Sequence, residues 1–202
     1  ARFRAYHSLA LPSITQADGR RSVCLPFCFV ESRNVGYTDG EVFFVSEESY
    51  KALANMLKHA RYAVFFGGAG VSTESGIPDF RSAQGLYAGG KGVSPEQLLS
   101  HSYFMRYPED FFRFYREKML YPDAKPNAGH RMLAKWEKLG LIRDVITQNI
   151  DGLHQAAGSS RVWELHGSVH RNRCMACGAA HTLQQLMSDP DVVPHCACGG
   201  VL

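Results

Sequence analysis

The fold of this chain is decided by the stretch Phe65-Phe66-Gly67-Gly68-Ala69-Gly70-Val71-Ser72-Thr73-Glu74-Ser75-Gly76-Ile77-Pro78-Asp79-Phe80-Arg81. The apolar run at residues 62–66 predicts a buried β-strand that leads directly into the glycines. Because glycine has no Cβ, the backbone N–H groups of such a turn can approach a pyrophosphate, and a following helix N-terminus favours the negative charge. Gly68 and Gly70 fit the first two positions of the G-x-G-x-x-G dinucleotide pattern, but Thr73 stands at the third. A glycine-rich turn alone is also compatible with a plain connection between a strand and a helix.

The residues after the glycines carry more chemistry than a plain turn requires. Pro78, Asp79, Phe80 and Arg81 bring a rigid ring, a carboxylate, an aromatic ring and a guanidinium together. Residues 72–75 are polar, and they are suited to capping a helix N-terminus, to contacting a pyrophosphate, or to both.

Two further polar blocks follow apolar runs. The first, Thr147-Gln148-Asn149-Ile150-Asp151-Gly152-Leu153-His154, follows the run at residues 141–146. The second, Glu164-Leu165-His166-Gly167-Ser168, follows the short run at residues 162–163. In an open α/β sheet, ligands bind outside the carboxyl ends of the strands. We therefore expect all three blocks to converge on one crevice.

Periodic patterns between these blocks predict the remaining elements. We expect helices from Ser46 to about residue 59, over residues 109–120, and from Asn127 to about residue 140. The inward-facing residues are expected to be Tyr50, Leu53, Ala54 and Leu57 in the first helix, and Leu133, Trp136 and Leu139 in the third. Three strands are expected, near residues 62, 144 and 162. The alternation of helices and strands predicts an α/β fold with a Rossmann-like parallel sheet, incomplete in this chain.

Four of the six cysteines form a metal-binding pattern. Cys174 and Cys177 form a C-x2-C pair, Cys196 and Cys198 form a C-x-C pair, and 18 residues separate the pairs. This spacing predicts a structural zinc site with four sulfur ligands. Two disulfides are the alternative, and His181 and His195 are the alternative ligands. The other cysteines, Cys24 and Cys28, are expected to be free thiols.

Composition favours one globular domain with a small annex. The chain has 202 residues, of which 45% are hydrophobic and 20% are charged, and its net charge is +3. The charges are scattered, so no direct binding of nucleic acid is expected. No apolar segment has the length of a transmembrane helix, so we expect no membrane association. Nothing in the sequence looks secreted, and we expect a cytoplasmic location.

The three polar blocks resemble those of the sirtuins, the NAD-dependent protein lysine deacylases, and the resemblance extends from about residue 50 to the end of the chain. It implies NAD as cosubstrate, one structural zinc ion, and an acylated-lysine protein or peptide as the partner. The implied products are nicotinamide, O-acyl-ADP-ribose and free lysine. One residue departs from the family pattern, because Gly67 stands where threonine is usual.

The resemblance also implies roles for individual residues. His166 is expected to be the catalytic base that removes a proton from a ribose hydroxyl, a task that suits a side chain with a pKa near neutrality. Asn149 and Asp151 join it in the catalytic set. His154 is left open between a functional role and a structural one, as helix cap or packing partner. The residues implied to bind NAD are Gly68, Ala69, Gly70, Ser72, Glu74, Asp79, Phe80, Arg81, Gln148, Asn149, Ile150, Asp151 and His166.

The chain is expected to divide into three parts. Residues 1–41 are expected to be a poorly ordered extension without chemistry, although their arginine-rich composition also suits a transit peptide. Residues 42–168 form the first part of a Rossmann-like NAD-binding domain, and residues 169–202 form the zinc-binding module. Because few strands precede its last residue, the chain alone is expected to bind NAD weakly and to lack activity.

Two other functions are compatible with parts of the sequence. A sirtuin-like mono-ADP-ribosyltransferase would use the same site with an acceptor other than acyl-lysine. A zinc ribbon that binds nucleic acid would have many basic residues near its cysteines, whereas only Arg171 and Arg173 lie close by. Sirtuins that remove acidic acyl groups carry a Tyr-x-x-Arg pair on the helix lining the acyl channel. Phe112 and Tyr115 stand in its place, which favours apolar acyl groups.

Overall fold

The structure is a computed structural model. It describes residues 14–15, 21–25, 35–38, 41–44, 46–79 and 93–202, with side chains for the last two ranges. The strands are β1 (Ile14–Thr15), β2 (Arg21–Leu25), β3 (Val35–Thr38), β4 (Glu41–Phe44), β5 (Ala63–Gly67), β6 (Asp144–Thr147), β7 (Val162–Glu164), β8 (Asn172–Arg173) and β9 (Ala180–His181). The α-helices are α1 (Glu47–His59), α2 (Pro95–Leu98), α3 (His101–Arg106), α4 (Pro108–Phe114), α5 (Ala128–Lys138), α6 (Leu153–Ala156) and α7 (Leu183–Ser188).

The main sheet has the order β1-β2-β5-β6-β7. Strands β2, β5, β6 and β7 pair in parallel, and β1 is an antiparallel edge strand. The connection from β5 to β6 includes helices α2 to α5, and a parallel pair requires a crossover of this kind. The register aligns Gly67 with Thr147 and Thr147 with Glu164, at the carboxyl ends of three neighbouring strands. The predicted α/β fold and the predicted convergence of the three blocks are therefore confirmed.

The number of strands differs from the sequence prediction. Three sheet strands were expected, but β1 and β2 extend the sheet to five. Both lie within the segment expected to be a poorly ordered extension. Their short sequences show no clear alternation, and β2 joins the sheet through backbone pairing of Val23–Leu25 with Ala63–Phe65. Backbone pairing of this kind leaves little signal in a sequence.

Helices α1 and α5 pack on the sheet as expected, with two corrections. The Ser46 side chain caps α1 by accepting a hydrogen bond from the Ser49 N–H, and Leu53 and Leu57 are buried. Ala54, expected inside, is exposed. In α5, Leu133 is buried and Trp136 packs against the core. Leu139 was also expected inside but is 62% exposed, because the helix ends at Lys138 and the chain turns away at Gly140.

The helix predicted over residues 109–120, called here the aromatic helix, is interrupted. A continuous helix over residues 109–120 was expected, whereas α4 ends at Phe114 and is followed by a π-helical turn, Tyr115–Met119. Phe112 in α4 packs with Val169 and Leu186 in a second apolar cluster. This cluster joins the helical segment to the cysteine module. In the described part of the chain, every helix is too short or too polar to span a bilayer.

Candidate active site

The glycine turn follows β5 directly. Gly68 lies before a 3₁₀-helix, Ala69–Ser75, and Gly76 ends that helix with φ of +82°, a conformation that favours glycine. A Cβ on Gly68 would lie 3.2 Å from the Gln148 Oε1 atom, so the glycine allows β5 and the second polar block to approach closely. The helix predicted after the glycines is thus a short 3₁₀-helix rather than an α-helix.

Gly67 has a local explanation. A Cβ at this position would lie 2.6 Å from a ring carbon of Phe65 and 3.1 Å from Cγ2 of Val71. Phe65 is buried in the core of the sheet. Glycine at position 67 therefore gives the Phe65 ring the room that a side chain would occupy.

Ser72 joins the glycine turn to the second polar block. Its hydroxyl donates to Asp151 Oδ2 at 2.6 Å and accepts from Asn149 Nδ2 at 2.9 Å. The serine is 1% exposed. The other carboxylate oxygen of Asp151 accepts the Leu153 N–H at 2.9 Å. Ser72 thus holds the carboxylate and the amide in fixed orientations, a role that neither helix capping nor direct pyrophosphate contact had suggested.

The backbone fixes the same block to the sheet. The Gln148 N–H donates to the Gly67 carbonyl at 3.0 Å, which extends the β5–β6 ladder by one bond. The Asn149 N–H donates to Thr147 Oγ1 at 3.0 Å. Gln148 is exposed beside Gly68, while Asn149 and Asp151 are half-buried. The block therefore lies at the mouth of the crevice.

His166 lies on the loop after β7, and its side chain is exposed. The loop turns at Gly167, where φ is +84° and the N–H donates to the Glu164 carbonyl at 3.4 Å. The Glu164 side chain is buried and pairs with Arg171, with Oε2 2.6 Å from Nη1. This ion pair links the two ends of the loop that carries His166.

Two buried histidines lie behind Asp151. The rings of His130 and His154 are 4.7 Å apart, and His154 also lies 5.9 Å from the Phe65 ring. Burial, and then the neighbouring His130, lowers the pKa of His154 to about 4, and Asp151 opposes this shift only in part. Burial is also the main cause that lowers the pKa of His130. Both rings are therefore neutral at pH 7, and His154 is a packing partner rather than a helix cap.

Asn127 and His130 also support the glycine turn, a role that was not predicted from the sequence. Asn127 caps α5 in a capping box with His130, and its Nδ2 donates to the Val71 carbonyl at 2.7 Å. Val71 precedes Ser72, so the start of α5 fixes the turn that positions the site. The Asn-x-x-His spacing at a helix start is a capping pattern, and this pattern could have pointed to Asn127 and His130 in the sequence.

The four paired cysteines form one cluster. Their Sγ atoms all lie within 4.8 Å of one another, with 3.5 Å between Cys174 and Cys198 and 3.7 Å between Cys177 and Cys196. A regular tetrahedron with Zn–S bonds of about 2.3 Å has edges of about 3.8 Å, so the cluster fits zinc. The Cys177 N–H points at Cys174 Sγ and is the main cause that lowers the pKa of the Cys174 thiol to about 6. A thiolate is the form that binds metal.

The alternatives for the cysteines do not hold. All four thiols are free, so the alternative of two disulfides does not hold. The cluster consists of the cysteines and includes neither His181 nor His195.

Comparison with known proteins identifies the family. Residues 68–202 match the model of the Sir2 family. The chain belongs to the Sir2 family. It is 57% identical over 152 residues to an NAD-dependent protein deacetylase of Cutibacterium acnes, covering 74% of this chain and 62% of that protein. It is 54% identical over 153 residues to an NAD-dependent protein deacetylase of Clostridium acetobutylicum, with the same coverage of 74% and 62%.

Solved Sir2 structures share the fold. Sir2Tm bound to a propionylated peptide has a TM-score of 0.64 and 40% identity, covering 75% of this chain and 60% of that one. A complex of Sir2 with a p53 peptide and NAD+ has a TM-score of 0.61 and 41% identity, with coverage of 75% and 60%. The chain thus spans about three fifths of the length of the Sir2 proteins it matches.

The structure brings together part of the predicted Sir2 site. Gly68, Ser72, Gln148, Asn149 and Asp151 are joined by the contacts above, and His166 follows the adjacent strand. Ala69 and Gly70 belong to the same 3₁₀-helix, in which Glu74 is exposed, and Asp79 and Ile150 are half-buried. Phe80 and Arg81 lie outside the described residues, so their assignments stay predictions.

Proposed function

We propose that the protein containing this chain removes acetyl or other apolar acyl groups from protein lysines, with NAD as cosubstrate. The products would be nicotinamide, O-acyl-ADP-ribose and free lysine. In this proposal residues 42–168 supply the first part of the NAD-binding domain, residues 169–202 supply the zinc module, and residues 1–41 carry no chemistry. The observation that carries the proposal is the Ser72 hydroxyl bound to Asp151 at 2.6 Å and to Asn149 at 2.9 Å, beside the glycine turn.

The geometry supports a division of tasks between the two sides of the crevice. Gly68, Ala69 and Gly70 would approach the pyrophosphate through their backbone, with Ser72 behind them. Gln148, Asn149 and Asp151 would hold the nicotinamide and its ribose, since their polar groups lie at the mouth of the crevice. NAD supplies the chemistry of a ribosyl bond whose cleavage leaves positive charge on the sugar. Glu74, Asp79, Phe80, Arg81 and Ile150 complete the proposed NAD-binding set.

His166 is the proposed base. An exposed imidazole on the loop after β7 is accessible to substrate, whereas His130 and His154 are buried and neutral. The ribose hydroxyl would transfer its proton to this imidazole, so that its oxygen becomes the nucleophile for the acyl-derived carbon. Asn149 and Asp151 would orient the sugar, because both are fixed through Ser72.

Mass spectrometry of the products tests the proposed function. The whole protein is incubated with NAD and an acetylated peptide, and we expect O-acetyl-ADP-ribose, nicotinamide and deacetylated peptide in equal amounts. Nicotinamide release without the acetylated peptide, together with ADP-ribose attached to protein, would instead establish a mono-ADP-ribosyltransferase. Neither product from the folded protein would reject both functions.

The proposed acyl preference depends on the aromatic helix. Phe112 is 2% exposed, and its ring centroid lies 6.2 Å from that of Tyr115. Burial raises the pKa of Tyr115 to about 12, so its hydroxyl stays neutral. Phe112 and Tyr115 thus offer no cation where sirtuins acting on acidic acyl groups carry Tyr-x-x-Arg. A succinyl carboxylate would be buried unpaired, which is costly.

We expect acetyl-lysine to be turned over at least about tenfold faster than succinyl-lysine, as measured by kcat/KM for matched peptides. The double variant F112Y/Y115R is expected to narrow this ratio because it introduces a cation, and Y115F is the matched control. Faster turnover of succinyl-lysine by the unaltered protein would refute the preference.

We also infer a cytoplasmic location. All four clustered cysteines are free thiols arranged to bind a metal, and a reducing compartment preserves thiols in this form. Recovery of the protein with the membrane or secreted fraction after cell fractionation would contradict this inference.

A further inference from the structure

We propose that His170 is a positioning residue, which fixes the loop carrying His166 against the segment carrying Asp151. The His170 Nε2 atom lies 3.1 Å from the backbone carbonyl oxygen of Asp151. A carbonyl oxygen only accepts, so Nε2 is the donor in this bond. The consequence for catalysis rests on the proposed function, whereas the contact itself does not.

Two sets of contacts fix the loop of residues 165–170: an ion pair between its ends and hydrogen bonds to residues 150–151. At its base, the buried Glu164 side chain pairs with Arg171 at 2.6 Å, which closes the two ends of the loop. Further out, the Val169 N–H donates to the Ile150 carbonyl at 3.0 Å. The His170 bond to Asp151 continues this connection by one residue on each side. Together, Val169 and His170 are the points at which the loop is fastened to the segment 150–151.

Gly152 provides the space in which the His170 ring lies. A Cβ at position 152 would be 2.8 Å from Cδ2 and 2.9 Å from Nε2 of His170. Gly152 also has φ of +72°, which disfavours other residues. A side chain at position 152 would therefore displace the atom that makes the hydrogen bond to Asp151. Gly152 and His170 form one structural unit.

Asp151 is fixed from three sides. Ser72 donates to Oδ2, the Leu153 N–H donates to Oδ1, and His170 donates to the backbone carbonyl. Only the third of these bonds comes from the loop that carries His166. His170 therefore sets the position of the proposed base relative to the proposed ribose-binding carboxylate. Small displacements between such groups can reduce rates by about a hundredfold.

Hydrogen exchange of the Val169 amide tests the contact in the absence of substrate. Variant H170F keeps a ring but loses the donor, and H170Q retains an N–H near the Nε2 position. We expect H170F to accelerate exchange of the Val169 amide about three- to tenfold, as loss of one hydrogen bond implies, and H170Q to restore most of the protection. The matched control is H59F, because exposed His59 also bonds a backbone carbonyl, with Nδ1 2.8 Å from the Asn55 oxygen. Unchanged exchange in H170F, or an equal change in H59F, would overturn the proposal.

A double-mutant cycle tests the link to Gly152. G152A is expected to accelerate exchange of the Val169 amide strongly in the unaltered protein and less in the H170A background. The backbone strain caused by G152A is the same in both backgrounds, whereas the new Cβ collides with the His170 ring only when His170 is present. Additive effects of G152A and H170A would show that the two residues act separately and would overturn the proposed unit.

Steady-state kinetics then distinguish a positioning role of His170 from a purely structural one. With the whole protein, H170F is expected to lower kcat about tenfold at unchanged KM for NAD, with recovery in H170Q. Altered exchange with an unchanged kcat would leave His170 a structural residue and overturn its positioning role. If the unaltered protein shows no turnover at all, the proposed function fails, and the exchange experiments still decide whether His170 fixes the loop.

Discussion

In the whole protein, substituting His166 by alanine is expected to abolish the proposed deacylation and to leave the fold intact. Positioned general bases contribute about 10²- to 10⁴-fold to rates, so the loss in kcat should fall in this range or above it. His166 is exposed on a loop, and substitutions at exposed positions usually change the free energy of unfolding by about 0.5 kcal/mol or less. The measurements are the rate of O-acyl-ADP-ribose formation and the midpoint of thermal unfolding, on the same preparation.

His59 is the matched control for this experiment. It is also exposed, and it lies at the end of α1, away from the three polar blocks. H59A should therefore retain both rate and stability. A folded H166A protein that deacylates at a rate near that of the unaltered protein would remove His166 from the mechanism. If H166A does not fold, the rate is measured instead on H166N, which preserves the size and polarity of the side chain.

The parts of the site that could be predicted are those encoded by local patterns. The apolar runs before each polar block identified β5, β6 and β7, and parallel pairing then placed Gly67, Thr147 and Glu164 at one edge. The cysteine spacing likewise identified the sulfur cluster. In both cases the signal lies in short blocks or pairs, and the residues within each of them are only a few positions apart along the chain.

The parts that could not be predicted depend on contacts between distant residues. Ser72 bonds Asp151 across 79 positions, whereas its own neighbours in sequence suggested helix capping or pyrophosphate contact. Asn127 reaches Val71 across 56 positions. Strand β2 was missed for a related reason, because backbone pairing with β5 rather than its own pattern places it in the sheet.

Removal of zinc is expected to unfold the cysteine module and to leave the strands of the main sheet paired. The module has two-residue strands and one six-residue helix, so it has little secondary structure of its own. Its apolar contacts are shared with the aromatic helix through Leu186 and Phe112. Arg116 adds hydrogen bonds to the end of α7, at 3.0 Å from the Leu186 carbonyl. These contacts hold one side of the module, whereas the segments around the cysteines depend on the metal.

The stability that the module loses with the metal follows from the affinity of four thiolates for zinc. Binding to structural sites contributes about 10–16 kcal/mol at neutral pH, which equals or exceeds the total stability of a typical domain. We therefore expect a chelator, or the variant C196S, to release one zinc ion per chain and to remove hydrogen-exchange protection from residues 174–202. Protection of β5 and β6 should persist, since Val145 and Phe65 are buried in a separate core.

The control for C196S is C24S, because Cys24 stands outside both cysteine pairs and should not affect metal content. Four sulfur ligands leave no open position for water, so the metal should stabilise the module without contacting substrate. The activity proposed for the whole protein is then expected to fall in step with unfolding of the module, and to return when zinc is added back. Full activity in metal-free protein, or a water molecule bound to the zinc, would contradict a structural role. Loss of activity with the module still folded would instead place the metal in the reaction.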